Sequence, residues 1–160
     1  MAIKFGGKKM FDTYIFDLDG TLLDTIEDLK IAVNYALEKN QLPQRTLEEV
    51  TRFVGNGVLK LIERAVGENE ADISTVLEDF KAYYHTHNAV KTKPYDGIME
   101  VLKELKRLGK KTAVVSNKYD AATKFLSNFY FGDLIDVAIG ENEAGGVRKK
   151  PAPDAVDLAL

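Results

Sequence analysis

The sequence predicts an α/β protein, with a parallel-sheet, Rossmann-like core and an all-helical segment inserted after the first strand. Residues 11–17 read as a strand, and residues 111–117 and 137–140 read as two later strands. Helical patterns separate the later strands, and this alternation is typical of a parallel sheet with right-handed crossovers. Residues 26–90 show helical periodicity alone, which predicts the insertion.

The first strand ends in a motif rich in carboxylates. Its apolar run "YIF" is continuous, which is typical of a strand buried on both faces. The following "DGTLLD" breaks the run. Thr25 and Asp28 then resemble a capping box that opens the next helix.

Four helices are predicted within residues 26–90, because apolar residues recur there at helical spacing. The second helix begins at another capping-box pattern, Thr46 and Glu49. "GNG" at 55–57 follows and reads either as a plain turn or as a loop that contacts a substrate. We therefore expect two domains, a core of residues 1–25 and 91–160 and a helical domain of residues 26–90.

Two further helices and a short final one complete the predicted core. Phe125 and Phe129 mark the helix between the second and third strands. Pro153 suits the first turn of the final helix. We expect the apolar face of that helix, which includes Val156 and Leu160, to pack on the sheet.

Composition excludes several classes of function. The chain has 160 residues, 45% hydrophobic and 29% charged, as in soluble globular proteins. A net charge of −3 gives no basic footprint for nucleic acid. The absence of cysteine removes disulfides and thiolate chemistry. No apolar run reaches the length of a membrane span, and no secretory signal is recognisable, so we expect a cytoplasmic protein.

Polar side chains that could bind a ligand or take part in a reaction follow all three predicted strands. Asp17 and Asp19 end the first, Ser116 and Asn117 end the second, and Lys150 lies in the loop after the third. The carboxyl ends of parallel strands meet at one edge of a sheet, where ligands bind. Side chains at i and i+2 share one side of an extended chain, so both carboxylates can face one substrate.

This set of residues favours phosphoryl transfer. Two adjacent carboxylates repel each other unless a cation or a proton compensates, and oxygen ligands without cysteine or a nearby histidine indicate Mg²⁺. Ser116, the Asn117 amide and Lys150 supply the donors and the positive charge that a phosphoryl group requires. One aspartate would then be the nucleophile and the other the acid/base.

Three stretches carry a resemblance to a known family. "FDLDGTLLDT", "VVSNK" and "KKPAPD", in this order, resemble the first three motifs of the haloacid dehalogenase (HAD) superfamily of phosphatases. "FVGNGVLKLIERAV" in the helical segment is similar to the phosphoglycolate phosphatase branch. The resemblance implies a small phosphorylated metabolite as substrate, with the helical segment acting as a cap that closes over the site and selects that substrate.

The resemblance also implies a role for each matching residue. Asp17 would attack phosphorus and form a phosphoaspartate, while Asp19 would protonate the leaving oxygen and then activate water. Mg²⁺ would be held by the Asp17 carboxylate and the Asp19 main-chain carbonyl. Thr21 would help to order the turn, and Ser116 and the Asn117 amide would hold phosphate. Lys150 would neutralise negative charge on both Asp17 and the phosphate.

One family motif does not occur in the sequence. The fourth motif, an acidic pair that completes the magnesium site, would lie beyond residue 160, so we expect a truncated phosphatase whose first strand has an open edge. A pyrophosphatase, a β-phosphoglucomutase or a non-catalytic fragment remain alternatives. Oligomeric state is not predicted.

Four other polar residues can be explained without a role in the reaction. We expect Lys149 to be an exposed neighbour of Lys150, and His85 and His87 to be solvated surface residues. Asp24 could either cap the following helix or support the site.

Overall fold

A computed structural model describes residues 11–160 of the chain, and the first ten residues of the predicted core lie outside this part. The strands are β1 (Thr13–Phe16), β2 (Leu23–Asp24), β3 (Lys93–Pro94), β4 (Lys111–Tyr119) and β5 (Val137–Glu141). The α-helices are α1 (Ile26–Lys39), α2 (Leu47–Phe53), α3 (Val58–Val66), α4 (Ile73–His87), α5 (Ile98–Arg107), α6 (Asp120–Phe131) and α7 (Asp154–Ala159). Short 3₁₀ turns occupy Gly132–Leu134 and Glu143–Gly145.

The main sheet is parallel, as the sequence predicts. Its strand order is β1-β4-β5, with β4 in the centre. Ile15 lies opposite Ala113, and Val114 lies opposite Ala138. The two short strands β2 and β3 pair antiparallel where the chain leaves the sheet for the helices and returns from them.

The first strand is less buried than its apolar run predicts. All four residues of β1 are half-buried, whereas residues 112–116 of β4 are buried throughout. The reason is position, because β1 pairs only with β4 within residues 11–160 and so forms an edge of the sheet. The prediction of a strand is confirmed, and the prediction of burial on both faces is wrong.

Apolar side chains form two clusters. Helices α1 to α4 surround one of them, together with Ala122 of α6. The other lies around the sheet. The largest fully buried side chains of the first are Leu37, Ile62, Phe80 and Tyr84, and those of the second are Leu18, Leu22, Leu23, Leu102 and Leu126.

The predicted capping box at Thr25 is wrong, because both of its side chains have other partners. Thr25 is the N-cap residue of α1 but makes no capping bond. Asp28 is buried and accepts hydrogen bonds of 2.8–3.0 Å from the backbone N–H groups of residues 90–92 and from the Thr92 hydroxyl. Asp28 therefore connects the start of α1 to the segment that follows α4.

The second predicted capping box is confirmed. The Thr46 hydroxyl accepts a bond from the Glu49 backbone N–H, and the Glu49 carboxylate accepts one from the Thr46 N–H. These bonds satisfy two backbone donors that the first turn of a helix leaves free. They fix the start of α2.

The helix marked by Phe125 and Phe129 is confirmed as α6, whereas the final helix differs in part from its predicted packing. Phe125 and Phe129 are exposed, and it is Leu126 that enters the sheet cluster. In α7, Ala155 is buried and Val156 is half-buried, but Leu160, which follows the helix, is 82% exposed. The expected packing of the final helix is therefore correct for Val156 and wrong for Leu160.

Candidate active site

The turn after β1 places two carboxylates on one side and an apolar side chain on the other. Leu18 is fully buried in the sheet cluster, and its carbonyl accepts bonds from the N–H groups of Leu22 and Leu23, both at 3.0 Å. Gly20 has a φ of 75°, a left-handed conformation that glycine adopts without steric cost. Asp17 and Asp19 therefore both line the pocket that lies beyond the sheet.

Lys150 binds Asp17, which brings together the first and third predicted motifs. The Lys150 Nζ lies 3.1 Å from Asp17 Oδ1 and donates a 2.9 Å bond to the Val115 carbonyl. The Leu18 N–H also donates to Asp17 Oδ1, at 2.8 Å. One carboxylate oxygen of Asp17 is thus held by two donors, and the side chain remains 43% exposed.

Asp19 is held by a second lysine, to which the sequence assigned no role. Lys118 Nζ lies 3.0 Å from Asp19 Oδ1 and 3.2 Å from Oδ2, and the Thr25 hydroxyl donates a 2.6 Å bond to Oδ1. The Lys118 side chain is only 4% exposed. Burial lowers the pKa of Lys118, but the charge of Asp19 outweighs it and the net pKa is raised, so the lysine is a cation.

Tyr84 of α4 lies against the same lysine. Lys118 Nζ is 4.7 Å from the centre of the Tyr84 ring, within the range of a cation–π contact. Burial raises the pKa of Tyr84 to about 12. Its hydroxyl is buried, and the neighbouring Lys118 ammonium offsets only part of this rise in the pKa of Tyr84.

Ser116 and Asn117 lie at the pocket, as predicted, but they make different contacts. Ser116 is buried, and its hydroxyl accepts a 3.2 Å bond from the Lys118 N–H. The Asn117 side chain donates to the carbonyls of Gly55 and Lys150, at 3.1 and 3.3 Å, and accepts a 2.6 Å bond from the Lys150 N–H. A contact from Asn117 to phosphate would therefore come from its main-chain N–H.

The remaining residues considered in the sequence analysis do not line the pocket. Thr21 is exposed and its N–H donates to the Leu18 carbonyl, so its contribution is to the turn. Asp24 lies in β2 and makes no capping bond to α1. Lys149 is half-buried rather than exposed, 3.7 Å from Glu143.

The two predicted surface histidines are exposed on α4. His85 and His87 are both solvent-exposed, as expected, and neither lines the pocket. His87 stacks on Tyr83 instead, with ring centres 4.0 Å apart. Both histidines are therefore surface residues.

The pocket has one polar and one apolar wall and contains about 550 Å³, its open mouth included. Gly55 and Gly57, between helices α2 and α3, line the pocket, so the "GNG" turn borders it. The polar wall is Asp17, Asp19, Ser116, Asn117 and Lys118, and the apolar wall is Leu29, Val54, Val58, Leu61, Phe80 and Tyr84. Such a cavity suits a small ligand with a charged end and a short organic part.

The residues present fit part of a magnesium site. No group of three acidic, histidine or cysteine side chains converges within residues 11–160. The hydrogen bonds to Asp17 use Oδ1, and those of the turn use the Leu18 carbonyl and the Gly20 N–H, on either side of the Asp19 carbonyl. The Asp17 carboxylate and the Asp19 carbonyl are therefore the two groups that would hold Mg²⁺, which commonly takes its other ligands from water and substrate phosphate.

The fold and the pocket together define an α/β protein whose pocket lies beyond the carboxyl ends of its parallel strands, the place where proteins of this architecture bind ligands. Comparison with protein families is more specific. Residues 14–160 match the model described as haloacid dehalogenase-like hydrolase. The chain belongs to this family, which confirms the resemblance carried by its motifs.

Several relatives of the chain are named phosphoglycolate phosphatase. The chain is 34% identical to the phosphoglycolate phosphatase of Aquifex aeolicus, over 89% of this chain and 65% of that protein. It is also 34% identical to the phosphoglycolate phosphatase of Cereibacter sphaeroides, over 87% and 66%. The chain thus spans somewhat less than two thirds of the length of these relatives.

Solved structures agree with the fold. A crystal structure of a predicted phosphoglycolate phosphatase from Lactobacillus delbrueckii is 36% identical, with a TM-score of 0.82 over 92% of this chain and 71% of that chain. Another, from Haemophilus somnus, is 30% identical, with a TM-score of 0.83 over 92% of this chain and 70% of that chain.

No helix within residues 11–160 is long and apolar enough to cross a membrane.

Proposed function

We propose that the protein is a Mg²⁺-dependent phosphomonoester hydrolase that acts through an aspartyl-phosphate intermediate, with phosphoglycolate as the first substrate to test. The observation that carries the proposal is the pair of carboxylates at one pocket, each bound by its own lysine. The names of the relatives support the choice of substrate.

Asp17 is the proposed nucleophile. Its Oδ1 is held by Lys150 and the Leu18 N–H, which leaves Oδ2 to attack phosphorus. A bond forms between Oδ2 and phosphorus while the bond from phosphorus to the alcohol oxygen breaks. Fixing one oxygen of a nucleophile orients the other, and orientation is a major source of rate enhancement.

Asp19 is the proposed acid/base. In the first step it gives a proton to the leaving alcohol oxygen, and in the second it takes one from the water that attacks the phosphoaspartate. The bonds from Lys118 and Thr25 fix the orientation of its carboxylate. Both steps need that carboxylate beside the same phosphorus atom, and Asp17 and Asp19 line one pocket.

Phosphate binding is assigned to the ends of β4 and of the loop before α7. The Ser116 hydroxyl, the Asn117 main-chain N–H and the Lys150 ammonium would donate to the phosphate oxygens. Mg²⁺, held by the Asp17 carboxylate and the Asp19 carbonyl, would supply further neutralisation of phosphate charge. Residues 26–90 would form the cap domain, whose apolar wall surrounds the organic part of the substrate.

Hydrolysis assays test the proposal directly. We compare the 160-residue chain with the same chain extended by the C-terminal part of the Aquifex aeolicus relative, with and without Mg²⁺, on a panel of phosphate esters. We expect the extended chain to hydrolyse phosphoglycolate only with Mg²⁺. If neither chain releases phosphate from any ester, the proposed function is wrong.

Other functions give different outcomes in the same assay. A pyrophosphatase would prefer pyrophosphate, and a β-phosphoglucomutase would interconvert sugar phosphates without net release of phosphate. A non-catalytic role for the 160-residue chain is favoured by its two, rather than three, acidic ligand groups within residues 11–160. That role predicts activity in the extended chain alone.

A further inference from the structure

We propose that the side chain of Asn117 is a positioning residue, which makes the placement of Lys150 on Asp17 depend on contact with the "GNG" turn at 55–57. The inference rests on the proposed function and deepens it, because it couples the helical part of the chain to the nucleophile. The resemblance assigns Asn117 to phosphate binding, which its main-chain N–H would perform, and leaves the side chain without a role.

The Asn117 side chain joins three segments of the chain through hydrogen bonds. Its amide nitrogen donates to the Gly55 carbonyl at 3.1 Å and to the Lys150 carbonyl at 3.3 Å. Its amide oxygen accepts a 2.6 Å bond from the Lys150 N–H. A side-chain amide has two N–H donors and one oxygen, so both donors and the acceptor are in use. One side chain of β4 therefore binds the turn between α2 and α3 and the loop before α7 at once.

The "GNG" turn also lies in van der Waals contact with both partner segments. A Cβ built on Gly57 would lie 3.6 Å from the Asn117 carbonyl oxygen and 3.8 Å from the Lys149 side chain. The backbone of the turn thus rests on β4 and on the loop that carries Lys150. The bond from Asn117 to the Gly55 carbonyl is therefore part of a packed contact.

Lys150 is held at both of its ends. Two bonds from Asn117 fix its main chain, whereas its ammonium group binds Asp17 at 3.1 Å and the Val115 carbonyl at 2.9 Å. A lysine side chain loses much rotamer freedom when it is ordered. If the main-chain end were released, the ammonium group would have more positions to occupy and would spend less time on Asp17.

These bonds connect the "GNG" turn to the nucleophile. Asn117 links the Gly55 carbonyl to Lys150, and Lys150 in turn binds Asp17. Coupling between two sites is reciprocal. A turn that rests on Asn117 therefore favours Lys150 on Asp17, and withdrawal of the turn removes one of the bonds that orient the Asn117 amide.

Hydrogen exchange on the 160-residue chain without ligand tests the link independently of turnover. Asn117→Ala should speed exchange about 5-fold at the Lys150 N–H and in the "GNG" turn, since each loses a hydrogen bond. Asn128→Ala, which removes an exposed asparagine of α6, should change neither. Faster exchange at Lys150 alone, or at neither segment, would overturn the inference, because Asn117 would then not couple the two.

A change in the turn tests the same link from the other side. Gly55 has a φ of 114°, which an alanine adopts only with strain, so Gly55→Ala should displace the Gly55 carbonyl. We expect faster exchange at the Lys150 N–H in this variant, although Asn117 and Lys150 are intact. Unchanged exchange at Lys150 would refute the coupling, and this variant decides if Asn117→Ala does not fold.

Kinetics of the extended chain on phosphoglycolate show whether the link serves the reaction. Asn117→Ala and Gly55→Ala should each lower kcat about 10-fold through misplacement of Lys150. The double variant should be no slower than the slower single variant, because the two residues act as a unit. Losses that multiply would overturn the inference. If the unaltered extended chain hydrolyses no ester, the proposed function fails, while hydrogen exchange still decides whether Asn117 couples the turn to Lys150.

Discussion

At the scale of single residues, the main feature is that each of the two carboxylates is bound by its own lysine. Lys150 holds Asp17 from the loop before α7, and Lys118 holds Asp19 from the end of β4. The first pair fits a nucleophile that needs one oxygen fixed, and the second fits an acid/base that needs its orientation fixed. Substitution of Asp17 and substitution of Asp19 should therefore reduce the rate of hydrolysis in different ways.

Asp17→Asn should remove turnover, by about 10⁴-fold or more, because an amide is a poor phosphoryl acceptor. The change is nearly isosteric, and the side chain is half exposed, so the fold should be unaffected. Steady-state hydrolysis with circular dichroism as the folding control measures this. Retention of more than a small fraction of activity would refute the covalent route.

Asp19→Asn should reduce kcat by about 10²–10⁴-fold, the usual contribution of a general acid/base. The loss should be smaller for esters with good leaving groups, such as p-nitrophenyl phosphate, because these need no proton on the leaving oxygen. Kinetics on both types of ester test this. The same loss on both would contradict the acid role.

The sequence predicted Asp17, Asp19, Ser116 and Lys150 at the pocket but gave no role to Lys118. Its position in "VVSNK" carries no local signal, because a lysine after a strand is usually solvated. Lys118 is buried because β4 continues to Tyr119 and because Tyr84 covers it from α4. Such a contact between distant segments has no counterpart in the local pattern.

At the scale of elements, the connection between the helices and the sheet depends on side chains that sequence patterns misassigned. Thr25 and Asp28 have the spacing of a capping box, yet Thr25 binds Asp19 and Asp28 binds residues 90–92. The pattern describes only local bonds, whereas the partners of Asp28 lie 62–64 residues away. The parallel strands were predictable because their apolar runs are local.

Asp28→Asn should destabilise the protein by about 3 kcal/mol, since the backbone N–H groups of residues 90–92 would lose a buried, charged acceptor. The neighbouring Glu27→Gln removes an exposed carboxylate from the same turn of α1 and should change stability by less than about 0.5 kcal/mol. Urea unfolding of the two variants gives the comparison. Equal stabilities would show that the connection at residues 90–92 is not important for folding.

At the scale of the whole molecule, the sheet has an unpaired edge at β1 within the described residues. Within residues 11–160, β1 has a single neighbour, and its Ile15 and Phe16 are half-buried. Full burial of one such side chain is worth about 1.5–3 kcal/mol, against about 5–15 kcal/mol for the stability of a typical domain. The sheet cluster should therefore be less stable than the cluster enclosed by α1 to α4.

We predict that the 160-residue chain is poorly stable as a monomer, binds Mg²⁺ weakly, and loses its sheet before its helical part on heating. Weak Mg²⁺ binding follows from the two protein oxygens available at Asp17 and Asp19 within the described chain. Calorimetry, hydrogen exchange and Mg²⁺ titration measure the three properties. A monomer with one cooperative transition at high temperature and ordinary Mg²⁺ affinity would contradict the prediction.

The central claim is that a phosphoryl group is transferred from the substrate to the Asp17 carboxylate, in the pocket beyond the sheet. A crystal structure with Mg²⁺ and beryllium fluoride, which mimics a phosphoaspartate, tests it most directly. We predict beryllium bonded to the Asp17 carboxylate, with its fluorines within hydrogen-bond distance of Ser116 and Lys150. Beryllium fluoride bound among the helices, away from Asp17, Ser116 and Lys150, would contradict the account.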